Sequence, residues 1–237
     1  MEASAAQQHR FYRTMAIACS ATILLGFASK YLPKLGNGTP VLPIIHVHAV
    51  VFATWLALYI TQSTLIGRDR IQLHRTLGTT GVLFSILMIA VGLHTALTVA
   101  RLNDAGLPVL QLPDAEAFLL INVMAVLQFG ALVAAGWYFR KQAQTHKRLM
   151  LLATVSLMPP GLARMPVIGD HLPAIALTAI AFLAIGPIYD YLTSRRIHRA
   201  YLWGALVILA PAPPALKALG ATAAWHDVAH WLIRSPL

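Results

Sequence analysis

The sequence predicts an all-α, polytopic membrane protein: a transmembrane helical bundle of seven spans. Three observations predict it. Of 237 residues, 58% are hydrophobic and only 11% charged, with a mean hydropathy of +0.67, beyond what a soluble domain of this length carries. The apolar residues fall in runs of about 20, the length a helix needs to cross a hydrocarbon core about 30 Å thick. Lysine and arginine alternate between rich and poor loops. Because lipid offers no partner to an open strand edge, such runs are read as helices.

The first span, residues 15–31, follows Arg10 and Arg13. Near its end Gly26-Phe27-Ala28 has the small-residue pattern of a signal-peptidase site, and removal there would leave six helices. Cys19, the one cysteine, lies in this span, so intramolecular disulfides and cysteine-only metal sites are excluded. The second span, 44–66, carries His48, Phe52, Trp55, Tyr59 and Gln62 as an aromatic and polar stripe on one helical face. The third, 77–99, carries Gly78, Gly81, Ser85 and Gly92 as a small-residue stripe suited to close packing, with His94 pointing away from it. The fourth span covers 117–139 and the sixth 172–192. The fifth, 149–167, is interrupted by Met158-Pro159-Pro160-Gly161, and the seventh, 201–219, by Pro211, Pro213 and Pro214. Proline removes a helical hydrogen bond, so kinks are expected at both places. Residues 220–237, with Trp225 and Trp231, have the character of an interfacial amphipathic tail. The connection 101–116 is too short for a soluble domain, which leaves residues 1–237 as a single integral membrane domain.

Sidedness follows from the cations. Arg10, Arg13, Arg68, Arg70, Arg75, Arg140, Lys141, Lys147, Arg148, Arg195, Arg196 and Arg199 fall on one side, twelve of the 18. Lys30, Lys34, Arg101, Arg164, Lys217 and Arg234 fall on the other. The positive-inside rule puts the N-terminus in the cytoplasm and the C-terminus outside, which in a bacterial inner (plasma) membrane means the periplasm. The net charge of +10 is spread over these short loops, so it points to the lipid bilayer as partner and not to nucleic acid. Nothing in the pattern sets an oligomeric state.

The pairs His9-Arg10, His74-Arg75, His146-Lys147-Arg148 and His198-Arg199 all stand at cytoplasmic helix starts. Orientation accounts for them as a class. The histidines it does not explain are His46, His48 and His94, because ionisable groups inside spans are rare and usually face the bundle interior. By rise per residue His48 and His94 lie at similar depth near the outer boundary. Two facing imidazoles there would ligate a b-type haem, with Arg164, Lys30 and Lys34 available to its propionates. A copper or zinc ion is the alternative, held by His226 and His230, which share a face at i and i+4, together with His46 or His48. A haem-bearing chain would be a redox component with a redox partner. The competing readings are a non-catalytic scaffold or assembly protein, and a small-solute transporter suggested by Gly186-Pro187, Asp190 and the broken helices.

"LHRTLG" and "HKRLMLLATVSLMPPGLAR" resemble the His-Arg-x-x-Gly and His-Arg-x-Met helix starts of a bacterial family of multi-pass membrane proteins of unassigned function. There is a looser architectural likeness to haem-bearing membrane cytochromes. The resemblance covers the third to fifth helices and singles out His74, Arg75, Gly78, His146, Arg148, Met150 and Arg164. It implies a second, inner site at His74 and His146.

Overall fold

The computed structural model describes residues 4–107 and 114–235, and all of its regular structure is α-helical. Ten helices follow in chain order: α1 Ala5–Gly36, α2 Pro43–Gly67, α3 Ile71–Asp104, α4 Ala115–Tyr138, α5 Ala143–Val155, α6 Met158–Leu162, α7 Leu172–Ser194, α8 Arg199–Leu209, α9 Pro213–Gly220 and α10 Ala223–Arg234. Five of them, α1, α2, α3, α4 and α7, are long and apolar enough to cross a membrane, and α8 with α9 makes a sixth if that bent pair is one span.

Local signals set the helix starts. Ser4, Asp114 and Thr222 each accept hydrogen bonds from first-turn amides of α1, α4 and α10, while Pro43 and Pro173 begin α2 and α7, where a missing N–H costs nothing. The Ser4 cap starts α1 ten residues ahead of the apolar run. The expected fifth span is divided: α5 ends at Val155 and α6 resumes at Met158, because Pro159 and Pro160 supply no amide to the ladder, and turns replace helix from Ala163 to Asp170. The seventh is likewise divided, α8 and α9 meeting at a 42° bend beside Pro211 and Pro213.

The core surrounds α5 and α6, which pack against α1, α4, α7 and α8. From Arg148 to Val155 seven of eight α5 residues are buried, Met150 alone being partly open. Helix α1 turns Tyr12, Met15, Ala16, Cys19, Ile23 and Gly26 inward, a 3–4 spacing that keeps one face on α5 and α6. Gly26 and Gly161 let two backbones meet: a β-carbon on Gly26 would sit 2.0 Å from the Gly161 carbonyl oxygen. Gly26-Phe27-Ala28, the candidate cleavage site, therefore lies where α1 is packed against α6. The outward faces carry Leu25, Leu83, Leu177 and Leu202, an apolar belt suited to lipid.

Side-chain contacts divide the bundle into two ends. At one, Tyr12 meets Tyr201, His74 meets His146, and Arg148 meets Asp190; this is the end rich in arginine and lysine. At the other, Tyr31 meets His46, Ser29 meets Arg164, and α10 lies over α3 and α4.

Candidate functional site: polar clusters at the two ends of the bundle

At the basic end, α3 and α5 both begin in one layer, each contributing a histidine from its first turn. The rings of His74 and His146 have centroids 6.2 Å apart and planes 76° from parallel. Each ring is held through Nδ1. His146 Nδ1 donates to the Gly136 carbonyl at 2.8 Å, near the end of α4. The Gln62 amide, from α2, satisfies its neighbours when its nitrogen donates to His74 Nδ1 at 2.5 Å and to the His74 carbonyl at 3.1 Å, its oxygen accepting from the Gly78 N–H at 2.8 Å. Four helices thus orient two imidazoles: Nδ1 donation leaves Nε2 of His146 an acceptor, and Nδ1 acceptance makes Nε2 of His74 a donor. Met150, one turn beyond His146, rests its sulfur against Gly136, 2.8 Å from where a β-carbon there would lie. Burial holds the His146 imidazole below its ordinary value.

On the opposite side of α5, Arg148 and Asp190 form a buried, two-pronged ion pair: Nε to Oδ2 at 2.9 Å and Nη2 to Oδ1 at 2.6 Å. The guanidinium also donates through Nη1 to the carbonyl and Oε1 of Gln144 and lies 5.6 Å from the Tyr201 ring centroid. Asp190 Oδ2 additionally accepts from the His198 N–H at 3.2 Å. Arg195 takes a left-handed conformation at the end of α7 (φ 56°), which turns the chain back sharply enough for that contact. Tyr201 and Tyr12 share a hydrogen bond of 3.1 Å, and Lys147 lies over the Tyr12 ring while donating to Gln8. Burial first, then the Arg148 charge, pushes the Lys147 ammonium down to about 8 and the His198 imidazole below its ordinary value.

Compared with family models, curated proteins and solved structures, the chain matches none.

The remaining candidates do not converge. His48 is half-buried and stacks on Phe52, whereas His94 is exposed on α3. Gly92, two residues earlier, is what α3 presents to Phe52. Two residues is about 200° of helix, so His94 faces away from α2 and the expected His48–His94 pair is not assembled. His46 bonds to the Tyr31 hydroxyl through Nδ1. His226 pairs with Glu116 at 2.5 Å, and His230 is exposed on the same helix. Neither joins His46 or His48, because α10 is tied to α4 by that His226–Glu116 pair and to α3 by Arg101 donating to the Leu232 carbonyl and by Arg234 with Asp104. Lys30 and Lys34 are exposed. Among the described residues no group of three or more His, Cys, Asp or Glu is arranged to hold a metal ion. Arg164 lies over the Phe27 ring at 4.5 Å.

Sequence reasoning named Arg148 and Asp190 separately and did not join them. Two opposite charges, each on a mostly apolar helix near the same boundary, were the signal that could have done so.

Proposed function

We propose that the chain crosses a bacterial inner membrane seven times, basic end in the cytoplasm, and holds one redox-active metal ion between His74 and His146. The fifth crossing would be α5 with α6. This is supported by α5 beginning among the basic-end contacts and α6 leading to Arg164 among those of the other end. The seventh would be the bent pair α8 and α9, with the C-terminus periplasmic.

The observation that carries the metal reading is the convergence of two independently anchored imidazoles. A metal–imidazole bond of about 2.0–2.1 Å on each side, plus the ring radii, separates two ring centroids by roughly 6 Å when the ligands oppose each other. His146 has the backbone partner that ligating histidines commonly carry on the nitrogen facing away from the metal. Gln62 donating to Nδ1 puts the proton of a neutral His74 on Nε2, so a metal there would displace that proton. Two imidazoles fall short of the tetrahedral set that structural zinc takes, whereas a neighbouring thioether, Met150, selects copper(I). Copper is the ion of choice.

A b-type haem ligated by the same two histidines is the second reading, favoured by the ring spacing and the steep angle between ring planes. It requires α3 and α5 to part for the macrocycle. Two hollows on the outer surface, about 430 and 360 Å³, are lined by no histidine among the described residues.

The test is metal analysis and an absorption spectrum, oxidised and dithionite-reduced, on detergent-purified protein from cells supplied with copper, zinc and haem precursor. Near-stoichiometric copper that disappears in His74→Ala and in His146→Ala is expected. Reducible haem bands with the same dependence establish the second reading. Folded wild-type protein with neither cofactor overturns both.

A further inference from the structure

We infer that the break between α8 and α9 holds a membrane-soluble hydroxy compound, an apolar body bearing an O–H donor, in a hollow anchored by Gln128. Pro211 has no N–H to give the Val207 carbonyl, and the Ala212 N–H turns back to the Leu209 carbonyl at 3.0 Å, so the carbonyls of Val207 and Ile208 lose their helical donors together. Gln128 reaches across from α4 and replaces both. Its Nε2 donates to the Val207 carbonyl at 3.1 Å and to the Ile208 carbonyl at 2.8 Å. Two acceptors fix which end of the amide faces them, because only the nitrogen can donate.

That assignment commits the amide hydrogens and leaves Oε1 open: among the described residues it accepts no hydrogen bond, and it is not buried. By rise per residue Gln128 stands about 20 Å from the Ala115 end of α4 and about 15 Å from the Tyr138 end. The free acceptor therefore lies near mid-membrane, where lipid offers it no donor.

The same bend opens the space a ligand needs. The hollow of about 430 Å³ lies between α4 and the bent pair, lined by Gln128, Val207, Pro211, Ala215, Leu216 and Leu219. That volume falls within the range of small-molecule sites, about 300–1,000 Å³. Leu219 and the neighbouring Leu127 are exposed on the lipid-facing surface, so entry is from the bilayer. Apolar walls select an apolar body, and a lone acceptor selects a donor: an ether or carbonyl oxygen in its place would face Oε1 with no hydrogen between them. A charged headgroup is disfavoured at that depth. A hydroquinone and a neutral lipid alcohol of the diacylglycerol type share the required chemistry. The site rests on α4 and the bent pair lying in the membrane, and not on the metal.

The experiment uses full-length protein purified from the membrane fraction in dodecyl maltoside, with thermal unfolding followed against ligand as a mole fraction of detergent. The probes are para-octylphenol, para-octylanisole, which has the same body and no donor, decylhydroquinone and dioctanoylglycerol. Stabilisation by the phenol and not by the anisole is expected. A stronger response to the hydroquinone identifies that source, and a stronger response to the diacylglycerol identifies a lipid alcohol; either supports the site. In Gln128→Leu the apparent affinity for the phenol is expected to fall about fivefold or more, the worth of one neutral hydrogen bond. Ala215→Phe fills the hollow while leaving Gln128 in place, is expected to weaken binding in the same direction, and serves if Gln128→Leu does not fold. Equal responses to phenol and anisole, no response of the wild type, or an undiminished response in the variants overturns the proposal. The readout needs no metal and both variants keep His74 and His146, so it is separate from the fate of the metal reading; recovery of the chain outside the membrane fraction would instead overturn the crossings themselves.

Discussion

Replacing Asp190 with asparagine keeps the shape of the side chain and removes the charge that Arg148 is paired with. Both side chains are almost inaccessible, at 3% and 10% exposure, so solvent cannot compensate. Breaking a buried pair by removing one partner costs about 3–5 kcal/mol, because the other charge remains buried. Arg148 keeps its two contacts to Gln144, and asparagine still offers one oxygen, which places the expected loss at the lower end, about 3 kcal/mol. The double variant Arg148→Met with Asp190→Leu buries no charge and is expected to be more stable than either single variant carrying one of those changes. Unfolding in mixed micelles of dodecyl maltoside and increasing SDS, followed by far-UV circular dichroism, measures all of them on one scale. A loss below about 1 kcal/mol for Asp190→Asn would refute the argument, as would a double variant whose loss equals the sum of its parts.

Three further outcomes are expected. Gly26→Ala forces a β-carbon against the Gly161 carbonyl and is expected to cost about 1–3 kcal/mol in the same titration, whereas Gly36→Ala, which meets nothing within 4 Å, is expected to be near neutral; equal effects would show that α1 and α6 do not meet this closely. His94→Ala is expected to leave metal or haem content unchanged while His146→Ala abolishes it, and the reverse pattern would return the site to the outer histidines. His198 has a folded value below the ordinary 6.5, so the unfolded chain binds more protons between those values. Stability from this group is complete above 6.5 and is lost as the pH falls through 6.5 toward the folded value, a decline expected to shrink in His198→Asn; an SDS midpoint that is flat across that window contradicts it.

The helical, lipid-facing character of the chain was legible because it depends on composition summed over long windows, and the breaks at Pro159-Pro160 and Pro211-Pro213 because a missing amide acts locally. Helical phase also identified the α2 stripe, in which Trp55 and Tyr59 are buried and Phe52 meets Gly92. Phase does not name the neighbour. His48 and His94 match in depth along the helices, yet His94 turns away because the glycine face of α3 is the one that α2 occupies. Orientation sufficed to explain His74 and His146 one by one and only the family resemblance paired them; the packing of α3, α4 and α5 brings their rings together. Arg148 and Asp190 stand 42 residues apart, beyond any periodicity, and each looked like an isolated charge.

The enclosure of α5 has a consequence for synthesis. Its first turns bring His146, Lys147 and Arg148 toward the bilayer long before the carboxylate that neutralises the arginine exists. At about 5–20 residues per second, the 42 residues to Asp190 take roughly 2–8 s to translate. During that interval Arg148 has no anionic partner from α7, and α8 has not yet covered its side of α5. The fifth segment is therefore expected to join the bundle late, once α7 delivers its charge. Residues 190–201, which carry Asp190, the His198 amide and Tyr201, would then be the closing step of biogenesis as well as a wall of the finished bundle.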